Sequence, residues 1–194
     1  MSFFQVQSGH ISISDPAHPK DFQFDVWNIP AKNGIWDVKY LETPDSDEFG
    51  RRTSMLSAEH RRHKDTPLDR LTPKFLGLVC VDYGSLVIAD SDFYPQEGYK
   101  VEDVIKKLES DVQHITVDGG IATTTGFGAD NYKPVGYFLG EQIVKLHISF
   151  ISDESIKKMR RICTGQDAEG KKDSMISRNL SYLVAGTISN TIDR

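Results

Sequence analysis

One segment of this chain occurs twice, and that repeat narrows the fold more than any other feature. Val6-Gln7-Ser8-Gly9-His10-Ile11-Ser12-Ile13-Ser14-Asp15 aligns without a gap on Val81-Asp82-Tyr83-Gly84-Ser85-Leu86-Val87-Ile88-Ala89-Asp90, at a constant offset of 75. Val, Gly and Asp recur identically, while Ile11/Leu86 and Ile13/Ile88 keep apolar side chains two positions apart. A period of two is the signature of a strand, glycine suits a turn of positive φ, and aspartate bonds the backbone two residues on. Each copy therefore reads as a strand, a glycine turn, a second strand and an Asp-led exit. Gly34-Ile35 and Gly120-Ile121 extend the comparison at an offset of 86, which implies an insertion in the second half.

Val101, Val104, Ile105, Leu108 and Val112 fall at i, i+3, i+4, i+7 and i+11, the stripe of an amphipathic helix, and so supply that insertion. Val144–Phe150 alternates strictly between apolar and polar, as in a strand with one buried face, which leaves His147 exposed. Tyr132–Leu139 is its expected hairpin partner across Gly140-Glu141, with Pro134 putting the start at an edge or bulge. Arg51–Lys64 fits a strand followed by a loop or a short helix. Ser152-Asp153-Glu154 caps a short helix that ends before Gly165, and Ile176, Leu180, Leu183, Val184 and Ile188 mark a last helix begun near Asp173. The expected fold is α+β and β-dominated: an antiparallel β-sandwich-like core with a duplicated strand–turn module, one inserted helix and C-terminal helices. The expected domains are a β-rich unit over 1–151, with related halves at about 1–74 and 75–151, and a helical extension over 152–194.

The 38% hydrophobic content, with ten Phe, seven Tyr and two Trp, suffices for a packed core. Met1-Ser2-Phe3-Phe4-Gln5 lacks the pattern of a signal peptide, and no apolar run approaches the roughly 20 residues of a membrane span. Two cysteines cannot staple a disulfide scaffold, and Cys80, inside Leu78-Val79-Cys80-Val81, reads as a buried thiol. These features predict a cytoplasmic protein with no membrane partner. A net charge of −5 argues against a dedicated nucleic-acid binder. Between Arg51 and Lys74, however, seven Lys/Arg face three acids, a local +4 that leaves −9 for the rest.

That basic stretch, with Arg51, Arg52, Arg61 and Arg62, is one candidate contact for a small anion. Gly126, Phe127, Gly128, Asp130 and Tyr132 form a second candidate, a glycine loop whose amides can approach an anion or whose oxygens can face a hard cation. Turn geometry alone demands the same residue types. His60-x-x-His63 would align two rings on a helical face, yet a zinc site needs a third ligand, and His10, His18, Asp15 and Asp90 are the notable candidates. Arg61, Arg62 and Lys64 beside the pair would repel a cation. Asp15 and Asp90 could meet as a carboxylate pair about a pseudo-twofold, or serve their turns. No Gly-x-Ser-x-Gly elbow is present.

Ser8-Gly9-His10-Ile11-Ser12-Ile13-Ser14-Asp15-Pro16, taken with Gly126-Phe127-Gly128-Ala129-Asp130-Asn131-Tyr132, resembles a loose group of bacterial and phage proteins of unknown function. That group pairs a Ser-Gly-x-Ile-x-Ile-x-Asp-Pro module with a Gly-Phe-Gly-Asp-Gly-x-Tyr loop. The resemblance spans roughly Phe3–Ile151 and implies a compact β-sandwich-like domain, with no activity attached. This chain departs from it at Ala129-Asp130, where the acid is displaced by one, and at Ala17-His18. The expected function is a non-enzymatic binding or interaction module of bacterial or phage type, in a regulatory or defence setting, with no cofactor. The partner is a protein or a small anionic ligand, and homo-oligomerisation stays open. The alternatives are a binder of an anionic small molecule such as a nucleotide, and a metal-dependent hydrolase using His60, His63 and the repeat-end aspartates Asp15 and Asp90.

Overall fold

A computed structural model of the chain describes residues 2–18, 25–43, 50–94, 100–109, 113–152, 155–157, 159 and 161. The chain divides into two units after Ser152. The expected C-terminal helices, Cys163 and Val112 lie outside the described residues, apart from helical positions at 155–157, 159 and 161.

The strands of the first unit are β1 (Ser2–Val6), β2 (His10–Ser14), β3 (Val26–Pro30), β4 (Gly34–Glu42), β5 (Thr53–His60), β6 (Thr72–Phe75), β7 (Val79–Val81), β8 (Ser85–Asp90), β9 (His114–Val117), β10 (Gly120–Thr124), β11 (Asp130–Tyr132), β12 (Val135–Leu139) and β13 (Gln142–Ser149). One helix, α1 (Val101–Glu109), lies between β8 and β9, where the amphipathic stripe put it. The protein is mostly β. A six-stranded sheet runs β1-β4-β5-β13-β12-β6, a five-stranded sheet runs β3-β2-β8-β10-β9, and β11-β7 forms a ribbon. Every strand pair within them is antiparallel.

Burial follows the alternation. Phe4, Val6, Trp36, Val38, Leu56, Ala58, Leu146 and Ile148 from the larger sheet share one core with Ile11, Ile13, Leu86, Ile88 and Ile121 from the smaller. Val87, Ala89 and Ala122 form a second cluster with Tyr94 and with Val104 and Leu108 of α1. Strand β8 is thus buried on both faces, which explains its unbroken run Leu86-Val87-Ile88-Ala89.

The repeated segments meet edge to edge within the smaller sheet. In the β2–β8 pairing, Ser12 lies opposite Ala89, Ile13 opposite Ile88 and Ser14 opposite Val87. Ile13 therefore pairs with its own counterpart 75 residues on, and a local twofold axis passes through that pair. The exits obey the same symmetry. Asp15 accepts hydrogen bonds from the amides of Ala17 (2.7 Å), Asp82 (2.6 Å) and Tyr83 (3.4 Å). Asp90 accepts from the amides of Gln7, Ser8 (2.9 Å) and Asp92 (3.0 Å). Adding 75 to each partner of Asp90's first-copy amides, Gln7 and Ser8, gives Asp82 and Tyr83, so each copy's aspartate holds the other copy's turn.

Four expectations need correction. Gly34 and Gly120 are not counterparts: β10 pairs with β8 as β3 pairs with β2, whereas β4 pairs with β1. Tyr132–Leu139 is two strands, because Lys133-Pro134 breaks it. β11 pairs with β7, and only β12 joins β13 across Gly140-Glu141. Cys80 is half-buried, since it lies on the side of β7 opposite Val79 and Val81. His147 is also half-buried, flanked on the sheet by Ser57 and Val135.

Candidate ligand-binding site

The sheets bring together two of the segments singled out above. Arg52 immediately precedes β5, and its guanidinium lies over the Phe127 ring at 5.6 Å and donates to the Gly126 carbonyl at 3.4 Å. The Gly126 amide in turn donates to the Thr53 carbonyl at 3.0 Å. The loop is internally clamped. Thr125 Oγ1 donates to the Gly128 carbonyl (3.0 Å), and the Tyr132 hydroxyl donates to Gly128 (2.7 Å) and Thr125 (3.3 Å). A Cβ at Gly84 would lie 3.1 Å from the Gly128 Cα, so the second module's glycine turn seats against this loop.

Arg51 pairs with Glu42 and joins the same end of the sheets. Arg61 and Arg62 do not. They follow the far end of β5, about 30 Å from Arg52 at the rise of an extended strand. Arg61 holds Asp37 through two nitrogens (2.6–3.2 Å), and that guanidinium keeps the Asp37 carboxyl below its usual range. Asp130 is exposed and accepts from the next amide, Asn131. Tyr132 is buried, edge-on to Phe150, and serves the loop from beneath.

Beside Arg52 lies a polar group that sequence reasoning missed. Thr53 and Thr124 hydroxyls contact each other at 3.1 Å, and both donate to Gln113 Oε1 (3.4 and 2.6 Å). Next to Gln113, the His114 ring stacks on Tyr40 from the other sheet, with centroids 4.0 Å apart and planes at 16°. The Tyr40 hydroxyl and His114 Nδ1 are shielded from solvent and make no well-formed hydrogen bond among the described residues, although the Ser2 side chain is close enough to the Tyr40 hydroxyl to interact with it. Burial pushes the Tyr40 hydroxyl's pKa up, against a smaller downward pull from the Ser2 side chain. Burial also pushes the His114 imidazole's pKa down, against an upward pull from Glu42, with Arg51 adding to the fall. An unmade buried hydrogen bond costs about 1–3 kcal/mol; the Ser14 and Ser85 hydroxyls and His60 Nδ1 are in the same position elsewhere, but only here do two such atoms sit in stacked rings. The signal was invisible in the sequence because Tyr40 and His114 are non-local and individually ordinary.

The remaining candidates are engaged within the protein. Both oxygens of Asp15 and both of Asp90 accept backbone amides, which is turn chemistry. His60 ends β5 and is not helical. It is 3% exposed, bonds the Asn33 carbonyl through Nε2 at 2.9 Å and packs edge-on to Trp36. Gly34, at φ 133°, makes room for it, because a Cβ there would lie 2.7 Å from Nε2. His63 closes the following 3₁₀ turn with its ring 5.0 Å from His60, and burial, His60, Lys32 and Arg62 all lower its pKa. No group of three or more His, Cys, Asp or Glu side chains is placed to hold a metal among the described residues. Nor is any helix among them long and apolar enough to cross a membrane.

Comparison with protein families, curated proteins and solved structures returned no match.

Proposed function

We propose that this sandwich-like protein is a non-enzymatic binding module that takes a small anionic molecule where Arg52 and Phe127 adjoin the Tyr40–His114 stack. The observation that carries this reading is a pair of shielded polar atoms, Tyr40 Oη and His114 Nδ1, with no well-formed hydrogen bond among the described residues and in rings 4.0 Å apart. Around them, Gln113 spends its Oε1 on two threonines, so its amide nitrogen points the other way as a donor. Tyrosine hydroxyl, glutamine amide and guanidinium are donors suited to phosphate or carboxylate oxygens. Among the described residues of the site, the threonine hydroxyls are bonded to Gln113 and to each other rather than to a base.

Thermal-shift and calorimetric titrations with inorganic phosphate, AMP, ATP and a simple carboxylate test this directly. A saturable rise in Tm is expected with at least one anion. Tyr40→Phe should abolish it while changing the free protein's stability by no more than about 1 kcal/mol, because the hydroxyl that is removed makes no well-formed hydrogen bond. Arg52→Gln should weaken binding, and Arg61→Gln, at the far end of β5, should not. Undiminished binding by Tyr40→Phe, or no shift with any of these anions, would rule the reading out.

A further inference from the structure

Of the two stacked rings, the imidazole is the one able to change its charge near neutral pH. His114 begins β9, opposite Thr123 of β10, and lies on Tyr40 of β4 with centroids 4.0 Å apart. Its Nδ1 is shielded and makes no well-formed hydrogen bond among the described residues. Charged groups face the ring from several elements. Glu42, at the end of β4, draws the imidazole towards its protonated form. The amino-terminal charge and Arg51, just before β5, oppose it, and burial opposes it most. The hydroxyls around the stack do not titrate: Ser2 of β1 interacts with the Tyr40 hydroxyl, and Thr123 and Thr124 of β10 donate to Gln113.

The imidazolium is therefore penalised in the free protein for two reasons. Its charge is buried within reach of two other cations. Protonation also leaves an N–H on Nδ1, whichever tautomer it starts from, with no acceptor to receive it. An anionic oxygen at that nitrogen removes both penalties, because it supplies the acceptor and the opposite charge. Proton uptake and anion binding then strengthen each other by the same factor. Charge counting selects the anion. Arg51 is paired with Glu42, 2.5 Å away, which leaves the Arg52 guanidinium, over Phe127, to balance one negative charge. A second negative charge calls for a second cation, and His114 becomes one by taking a proton from solvent.

We propose that His114 takes up a proton as the site fills, and that the site thereby favours doubly charged oxyanions, the charge class of inorganic phosphate and of a phosphate monoester. This rests on the anion reading of the Tyr40–His114 site and adds to it the charge of the ligand and a dependence on pH. Over the interval in which the filled site holds His114 protonated and the empty site does not, affinity for a dianion rises as pH falls. The rise is up to about tenfold per pH unit, the limit for one proton. A singly charged anion gains less, because Arg52 already balances it.

The test uses the full chain and two probes of constant charge and similar shape, sulfate and methanesulfonate. Histidine ring resonances are followed by NMR from about pH 5 to about pH 8, without anion and with each probe, and calorimetry gives the affinities over the same range. In the free protein His114 is expected to titrate below the ordinary histidine value of 6.5. Saturating sulfate should raise that midpoint by about one pH unit or more, which is a tenfold linkage, and methanesulfonate should raise it less. His114→Gln, which stays polar but gains no charge, should lose the pH dependence of sulfate affinity; the wild-type titration decides the matter even if that variant fails to fold. Inorganic phosphate and AMP, titrated alongside, tell the free ion from the monoester by which binds more tightly, and either result keeps the proposal. Sulfate binding that leaves the His114 titration unmoved, equal rises with both probes, or undiminished pH dependence in His114→Gln would overturn it while the anion site stands. Absence of sulfate and phosphate binding at every pH would remove the site and the proposal together.

Discussion

Asp15 and Asp90 occupy matching places in sequence and accept matching sets of amides, yet their acidities move in opposite directions. Burial pushes the Asp15 carboxyl up, and the amides of Ala17, Asp82 and Tyr83 do not compensate. At Asp90 burial also pushes upward, but the amides of Gln7, Ser8 and Asp92, joined by the Ser8 side chain, outweigh it and the net shift is down. The consequences for stability have opposite signs. A lowered pKa means that Asp90 contributes stability above 3.8, its unperturbed value, and loses it as pH falls below that. A raised pKa means that Asp15's contribution is complete below 3.8 and declines as pH rises through its folded-state value. Urea melts from about pH 3 to about pH 7 should therefore separate the two asparagine variants. The deficit of Asp90→Asn relative to wild type shrinks on acidification, and that of Asp15→Asn grows. Parallel trends would contradict the assignment.

The strands owe their register to positions where no side chain fits. Gly120 begins β10 against β8, and a Cβ there would lie 2.3 Å from the Ile88 carbonyl oxygen and 2.5 Å from the Ala89 Cβ. Gly140, at φ 67°, is the first residue of the two-residue turn joining β12 to β13 and has open space around it. Gly120→Ala should cost about 1–3 kcal/mol or more by overpacking a central pairing. Gly140→Ala should cost about 1–2 kcal/mol, from its left-handed backbone alone. Chemical denaturation, with proton exchange along β8 and β10, distinguishes the two: only Gly120→Ala should loosen the β8–β10 amides. The hairpin at Gly140-Glu141, the alternation of β13 and the stripe of α1 were all legible in the sequence, because each rests on local periodicity. The pairing of β5 with β13 was not, since their residues lie about ninety positions apart and nothing local selects between candidate partners. The ligand site was legible in the same measure. Arg52 and the Gly126–Gly128 loop announce themselves by composition, whereas Tyr40, Gln113 and His114 acquire meaning only when the two sheets bring them together.

Across the first unit, the repeated module does more than supply two similar halves. Its copies hold each other, through the Ile13–Ile88 pairing at the centre and the exchanged aspartate–amide contacts at either end. The halves are further interleaved, because β5 of the first pairs with β13 of the second in the larger sheet. Such reciprocal bonding makes the two copies one cooperative unit, and it fixes the Asp82-Tyr83 turn and the Gly84–Gly128 contact against which the Phe127 loop is seated. Site-resolved hydrogen exchange on Asp15→Asn and Asp90→Asn examines that exchange most directly. Asp15→Asn should speed exchange at the amides of Asp82 and Tyr83 and leave Gln7 and Ser8 protected, while Asp90→Asn should do the reverse. If each substitution instead deprotects only its own turn, at Ala17 or at Asp92, the copies do not hold one another and the reciprocal brace is wrong.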